Sequence, residues 1–271
     1  MPELPEVEIT RRGIEPFLLK RRIDAVVVRH PQLRWPVTKN LNRILRGRQI
    51  RAVSRRGKYL LLDCDGGNLI MHLGMSGSLR VVAKDDPPGT HDHFDLVVGD
   101  HAIRLRDPRR FGAVLWCAED IGAHPLLAHL GVEPLSDAFD ADYLYARTRS
   151  KKQALKLTLM DHSLVVGVGN IYANESLFRA GIRPQLPAHR LSRPRAAVLV
   201  RHVKETLVEA LAKGGSSLRD FIHSDGSAGY FQQHYFVYGR DGESCRQCGT
   251  PIRRLVQGQR ASFYCPKCQR S

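Results

Sequence analysis

Four cysteines near the end of the chain, Cys245, Cys248, Cys265 and Cys268, fall in the pattern Cys-x2-Cys-x16-Cys-x2-Cys and leave the tail around them little choice of fold. Two close pairs with such a spacer suit four thiolates around one tetrahedral Zn²⁺, a structural site with no open position for catalysis. The other two cysteines, Cys64 and Cys117, sit singly in apolar runs and read as small buried hydrophobes. No apolar h-region opens the chain, so a cytosolic, reducing compartment is expected, where a cysteine quartet is a metal site rather than two disulfides. Residues 245–271 carry Arg246, Arg253, Arg254, Arg260, Lys267 and Arg270 and no acid. Leu255 to Phe263, with Gly258 at the turn, predicts a hairpin between the cysteine pairs that holds Arg260 toward a phosphate. A folding staple with scattered surface arginines is compatible with the same residues.

The basic tail belongs to a wider imbalance. The chain has 42 Lys+Arg against 27 Asp+Glu, a net charge of +15. An excess of this size points to a polyanionic partner, most simply nucleic acid. An anionic membrane surface is the competitor, weakened because no apolar run approaches the length of a span and no basic amphipathic tail stands out. At 271 residues and 42% hydrophobic content the chain can bury a sizeable core and exceeds the usual single domain.

Residues 5–19 have a helical apolar rhythm at Val7, Ile9, Ile14, Phe17 and Leu18, with a kink or break expected near Pro16. The period then changes. Eight short runs rich in Val, Ile and Leu, at 23–29, 49–54, 59–63, 68–72, 79–83, 94–98, 102–106 and 112–117, read as strands of a β-sandwich or barrel. Asp65-Gly66-Gly67-Asn68 and Gly99-Asp100-His101 read as hairpin turns. Beyond Gly131-Val132-Glu133-Pro134 the chain turns helical. Helices are expected from Asp137 or Asp140 to about Arg147, over 151–160, from Ile171 to Ala180, and from a Ser192 cap to Lys213, ended by Gly214-Gly215. Residues 214–234 read as a long surface loop.

Several short motifs carry chemistry. The chain opens Met1-Pro2-Glu3-Leu4-Pro5-Glu6. Were Met1 removed, Pro2 would bear a secondary α-amine, about a tenth neutral at pH 7 because such amines titrate near 8. A neutral amine attacks electrophilic carbon and forms Schiff bases, with Glu3 and Glu6 as acids or bases in reach. With Met1 attached the nitrogen is a tertiary amide and inert. The same residues also make an ordinary helix start. Gly167-Val168-Gly169-Asn170 before a helix can bring backbone close to a phosphate, or can be a tight turn between helices. In Arg55-Arg56-Gly57-Lys58, Lys58 can project from a sheet edge into a cleft, although a basic run is as often a solvated face. Asp107-Pro108-Arg109-Arg110-Phe111-Gly112 is a tight loop able to push side chains into a base stack, or a turn with Phe111 folded inward. His72-Leu73-Gly74-Met75-Ser76-Gly77 is a second turn, presenting Met75 as a wedge or burying it as core.

Taken together, Pro2 to Glu8, Gly57-Lys58-Tyr59, His72 to Gly77, Asp107 to Gly112, Val166 to Glu175 and the cysteine tail resemble formamidopyrimidine-DNA glycosylase, from end to end and in order. Leu4, where the sister endonuclease VIII group has Gly, and the Asp107 to Gly112 loop favour the former family. The resemblance implies an α+β fold: an N-terminal β-sandwich with an N-terminal helix (1–133), a helical helix-two-turns-helix domain with a lesion-capping loop (134–234) and a four-cysteine zinc finger (235–271). DNA would lie in the cleft between domains. The implied activity is excision of oxidised purines from damaged double-stranded DNA and strand cleavage by β,δ-elimination. The alternatives are an endonuclease VIII-like preference for oxidised pyrimidines and a non-catalytic zinc-finger DNA-binding protein.

By the same resemblance Pro2 is the nucleophile, Glu3 the acid for sugar-ring opening, and Glu6 a support. Lys58 contacts a phosphate and aids catalysis, and Lys156 takes part in damaged-base processing. Asn170 and Arg260 form a phosphate clamp, Arg260 also counting as catalytic, with His72, Arg109 and Tyr238 as further DNA contacts. Met75, Arg109 and Phe111 fill the void left by the everted base. The loop from Ser216 to Phe231 closes over that base. One structural Zn²⁺ is the only cofactor implied. A monomer in the bacterial cytoplasm, associated with the nucleoid, is expected.

Overall fold

Short β-branched runs punctuated by glycine turns do form strands here. A computed structural model of the chain describes residues 2–215 and 234–270. Its two units are Met1–His129 with Lys213–Tyr230, and Leu130–Ala212 with Phe231–Ser271.

The first unit begins with α1 (Leu4–Leu18), followed by β1 (Ala25–Val28), α2 (Leu41–Leu45), β2 (Ile50–Arg56), β3 (Tyr59–Cys64), β4 (Gly67–His72), β5 (Ser78–Ala83), β6 (Asp92–Val98), β7 (His101–Arg106) and β8 (Ala113–Cys117). All eight expected strands are present, each within two residues of its expected bounds. They form two antiparallel four-stranded sheets, β1-β6-β7-β5 and β2-β3-β4-β8. Phe94, Leu96, Ile103 and Leu105 of one sheet share a buried cluster with Leu60, Leu62, Leu69, Met71 and Val114 of the other, and Ile14 and Leu18 of α1 join it. The fold is therefore a sandwich. Both expected hairpin turns occur, since Cys64 pairs with Gly67 and Val98 with His101. No break occurs at Pro16: α1 runs through it to Leu18. Proline there forfeits one backbone bond in the last turn, and packing of Ile14 and Leu18 carries the helix past it.

The second unit contains α3 (Ala141–Thr148), α4 (Leu155–Leu159), α5 (Asn170–Arg179), α6 (Arg193–Ala212), β9 (Arg253–Gln257) and β10 (Arg260–Tyr264). Asp140, not Asp137, caps α3, its Oδ1 accepting from the Tyr143 N–H at 2.7 Å. Helix α4 is shorter than the expected 151–160. Its leading residues are drawn into extended pairing, with Ala154 bridging Pro187 and the Leu155 N–H donating to the Leu186 carbonyl. Two turns over 160–169, one closed by Leu164 N–H to Asp161 O and one with Gly167 at φ +79°, join α4 to α5 as a helix-two-turns-helix. The β9–β10 hairpin turns through Gly258 and Gln259, both at positive φ.

Residues 235–270, expected as a segment of their own, fall in the same compact unit as the helices. Phe178 of α5 packs in one cluster with Val237, Cys245, Ile252, Phe263 and Cys265. Among the described residues no helix is long and apolar enough to cross a membrane.

Candidate functional site

At the start of α1 the helix-start reading and the chemical reading meet in the same atoms. Glu3 is the N-cap, Pro5 stands in the first turn, and Glu6 is the third helical residue. The Glu3 N–H donates to Glu6 Oε2 at 2.8 Å and the two acids close a capping box. Glu3 is 2% exposed and Glu6 0%. Burying carboxylates is costly unless they are paired, and the amino end of a helix is a place that compensates them. The box thereby fixes the backbone that carries Pro2, itself buried, directly before Glu3. Gly215 passes against this acid with φ +73°, so close that a Cβ would stand 3.1 Å from Glu6 Oε1. Met1 and the segment Ser216 to Phe231, expected to cover an everted base, lie outside the described residues.

Lys58 sits in the two-residue turn joining β2 to β3, behind Gly57 at φ +58°, and is half-buried. Arg55 and Arg56 belong to β2 rather than to a loop. Across the sheet Tyr59 pairs with His72, their rings 4.8 Å apart. His72 Nδ1 accepts from the Gly74 N–H at 2.9 Å. Burial, followed by the nearby charges of Lys58 and Arg34, pushes its pKa down to about 4. At neutral pH the imidazole is uncharged, and with Nδ1 accepting, Nε2 carries the proton. His72 thus carries a neutral Nε2–H donor.

The two loops expected to fill a void share one scaffold. Gly74 has φ +64°, and a Cβ on it would lie 2.4 Å from the carbonyl carbon of Phe111. Asp107 is fully buried; its Oδ2 accepts from the Gly112 N–H at 2.7 Å and its Oδ1 from the Ser76 hydroxyl at 3.4 Å. From this base Met75 emerges half-buried and Arg109 exposed. Phe111 is 39% exposed, so it is not folded inward. The Arg109 guanidinium lies 4.8 Å from the Phe111 ring centroid.

In the second unit the Gly169–Asn170 junction starts α5, with Gly169 as its cap. Asn170 Oδ1 is buried and has no hydrogen-bond partner among the described residues. Arg260 is exposed at the first position of β10, next to the turn. Tyr238 is half-buried, its ring edge-on to Tyr235 and Phe263. Lys156 lies in α4, against the hairpin. It is fully buried, and its Nζ donates to the Ala261 carbonyl at 2.8 Å and the Ser262 hydroxyl at 2.7 Å, so it supports the hairpin from beneath.

The four cysteines form no disulfide, and their sulfur atoms all lie within 4.8 Å of one another. Cys248 and Cys265 sulfurs are 3.5 Å apart and those of Cys245 and Cys268 3.9 Å. Ligands at about 2.3 Å around a tetrahedral ion place sulfurs about 3.8 Å apart, so the quartet fits a metal ion. Gln269, fully buried, locks the second knuckle to the helical body: its Oε1 accepts from Cys265 N–H and its Nε2 donates to Ile182 O.

Two buried polar residues of α5 escaped the sequence reading. Glu175 accepts three backbone N–H bonds, from Phe236, Val237 and Tyr238, and Asn174 accepts from the Phe263 N–H. Only their polarity inside an otherwise apolar helix hinted at them.

Comparison with known proteins gives consistent matches. Residues 1–114 match the formamidopyrimidine-DNA glycosylase N-terminal domain, 130–222 its H2TH domain, and 242–270 the zinc finger found in FPG and IleRS. A formamidopyrimidine-DNA glycosylase of Aromatoleum aromaticum is 58% identical over 270 residues, covering 100% of both chains. The crystal structure of the MutM (Fpg) protein of Thermus thermophilus superposes with a TM-score of 0.89 at 40% identity, covering 99% of this chain and 98% of that one. A Lactococcus lactis Fpg mutant in complex with Fapy-dG-containing DNA gives a TM-score of 0.92 at 33% identity, with 100% of both chains covered.

Proposed function

The chain belongs to the formamidopyrimidine-DNA glycosylase family, and from that premise we propose that it excises 8-oxoguanine and formamidopyrimidines from duplex DNA and then cuts the strand at the abasic site by β,δ-elimination. The observation that carries the chemistry is Pro2 held directly before the buried Glu3–Glu6 capping box. The freed Pro2 nitrogen attacks C1′ of the damaged nucleotide. The bond from C1′ to the base breaks, and the base leaves with a proton. Glu3 donates a proton to O4′ as the sugar ring opens, giving an iminium between Pro2 and C1′. Loss of a C2′ proton expels the 3′ phosphate, a second elimination expels the 5′ phosphate, and water releases the sugar fragment from Pro2. Glu6 supports Glu3 through the shared cap.

Chemistry at C1′ requires the nucleotide out of the stack, at a cost of a few kcal/mol. Met75, Arg109 and Phe111 offset it by occupying the vacated space, a role supported by their common rigid base. Lys58 and neutral His72 bind phosphates beside the lesion, Lys58 also aiding catalysis. Asn170, Tyr238 and Arg260 bind phosphates from the second unit, Arg260 at the step that needs charge. Lys156, bonded beneath the hairpin, takes part in damaged-base processing. The four thiolates hold one Zn²⁺, which cross-links the module carrying Arg260. The enzyme works as a monomer on nucleoid DNA in the bacterial cytoplasm.

Borohydride added during reaction with a duplex containing 8-oxoguanine opposite cytosine should trap a covalent protein–DNA adduct at Pro2. Mass spectrometry of the same sample should show that Met1 is gone. Processed protein that excises nothing and traps nothing would overturn the assignment. Faster turnover of thymine glycol than of 8-oxoguanine would move the substrate class to oxidised pyrimidines.

A further inference from the structure

Helix α5 has to hold its place while two segments far along the chain are built against it. Glu175 is fully buried, yet its carboxylate faces backbone: Oε1 accepts from Val237 N–H at 3.0 Å and Tyr238 N–H at 2.9 Å, and Oε2 accepts from Phe236 N–H at 2.9 Å. The preceding residue, Asn174, is 1% exposed. Its Oδ1 accepts from the Phe263 N–H of β10 at 2.8 Å, and its Nδ2 donates to the Asn170 carbonyl at 2.6 Å, four residues back on the same helix face.

These bonds run between the candidate DNA contacts without including any of their side chains. Asn174 links the backbone of Asn170 to the strand that begins with Arg260. Glu175 fixes the backbone N–H of Tyr238 itself. A metal ion in the cysteine quartet would fix the two knuckles to each other, but the tilt of the hairpin on the helical body is set by side chains that cross to it. Backbone pairing does not seat β10 itself: among the described residues β10 pairs only with β9, and the bridge of Ile182 to Arg270 holds the segment after the last cysteine instead.

We propose that Asn174 and Glu175 are positioning residues of the DNA clamp, Asn174 setting Arg260 against Asn170 and Glu175 setting Tyr238. The inference rests on the phosphate-contact reading of Asn170, Tyr238 and Arg260. Neither residue reaches the surface, so neither touches DNA. Buried polar bonds of this type specify one arrangement more than they add stability, and their loss shows in the groups they aim.

A double-mutant cycle tests it, read as the affinity of the zinc-loaded full chain for an undamaged duplex. Asn174→Ala should weaken binding about tenfold in the native background and less than about twofold on top of Arg260→Ala. Glu175→Gln should show the same non-additivity with Tyr238→Ala and additivity with Arg260→Ala. Additive losses in both cycles, with one zinc per chain retained, would make the two residues merely structural and overturn the proposal. If Asn174→Ala fails to bind zinc, Asn174→Asp, which keeps an acceptor for Phe263 but repels the Asn170 carbonyl, replaces it under the same criteria. Unchanged binding by Arg260→Ala and Tyr238→Ala alone would instead remove the clamp reading, and this inference with it. A failed borohydride trap beside an intact cycle would remove only the chemistry.

Discussion

His72 stands beside Lys58 and Arg34, and those neighbours, after burial itself, are the reason it is not a cation. Its folded pKa of about 4 lies below the ordinary value of 6.5, so the unfolded chain binds this proton more readily than the folded one. The stability this represents is fully present above pH 6.5 and is lost as pH falls toward 4. Urea midpoints measured from pH 7 to pH 4 should therefore fall less steeply for His72→Gln than for the native protein; parallel curves would show that the imidazole is not held neutral. Residues of this kind divide by how their partners are spaced. The cysteine quartet was legible because its members keep fixed intervals along the chain, and the capping box of Glu3 and Glu6 because they are three residues apart. Asn174 and Glu175 were not assigned, because their partners are backbone atoms at Phe263 and 236–238. A backbone N–H or carbonyl carries no residue signature, so nothing in the sequence marks where such a bond will end.

At the scale of elements, alternation and turn chemistry were enough for all eight strands and for the β9–β10 hairpin, because each hairpin is a local event. The short helix α2 was missed, since five residues are too few to show a period. Helix α4 was drawn too long, because pairing of Ala154 with Pro187, a tertiary event, competes for its first turn. The contact between the two insertion loops was equally invisible, although both glycines were in view. Gly74 makes that contact possible twice over, by its positive φ and by the absence of a side chain against the Phe111 carbonyl. Gly74→Ala should push the loops apart and destabilise the unit by about 1–3 kcal/mol. Excision of 8-oxoguanine from intact duplex should fall at least about tenfold, because the side chains proposed to fill the void lose their common base. Strand cleavage at a pre-formed abasic site, where no base has to be displaced, should fall less. Equal losses on both substrates would mean that the loops serve binding in general and not base eversion.

For the whole molecule the decisive quantity is the surplus of 15 positive charges. Some acids are each engaged by more than one arginine: Glu8 pairs with Arg11, Arg12 and Arg55, and Asp95 with Arg29 and Arg104. Such pairs cancel charge locally, so the surplus has to be met by counterions or by a partner. On duplex DNA each neutralised phosphate releases condensed counterions, and the logarithm of the binding constant falls with the logarithm of salt at a slope of about −0.9 per phosphate. Six to ten phosphate contacts then predict a loss of about 10³–10⁵ in affinity between 50 and 200 mM salt. A flat response would mean that the positive surplus is unrelated to DNA. The slope also tests the assignment of individual residues. Arg260→Ala should reduce it by about 1 and weaken binding alike on every sequence, because a phosphate contact carries no base information. Phe111→Ala, which removes a void-filling side chain and no charge, should leave the slope unchanged while lowering excision. The two variants separate electrostatic holding of the duplex from opening of the stack, and the assignment of the exposed loop tip fails if both change the slope.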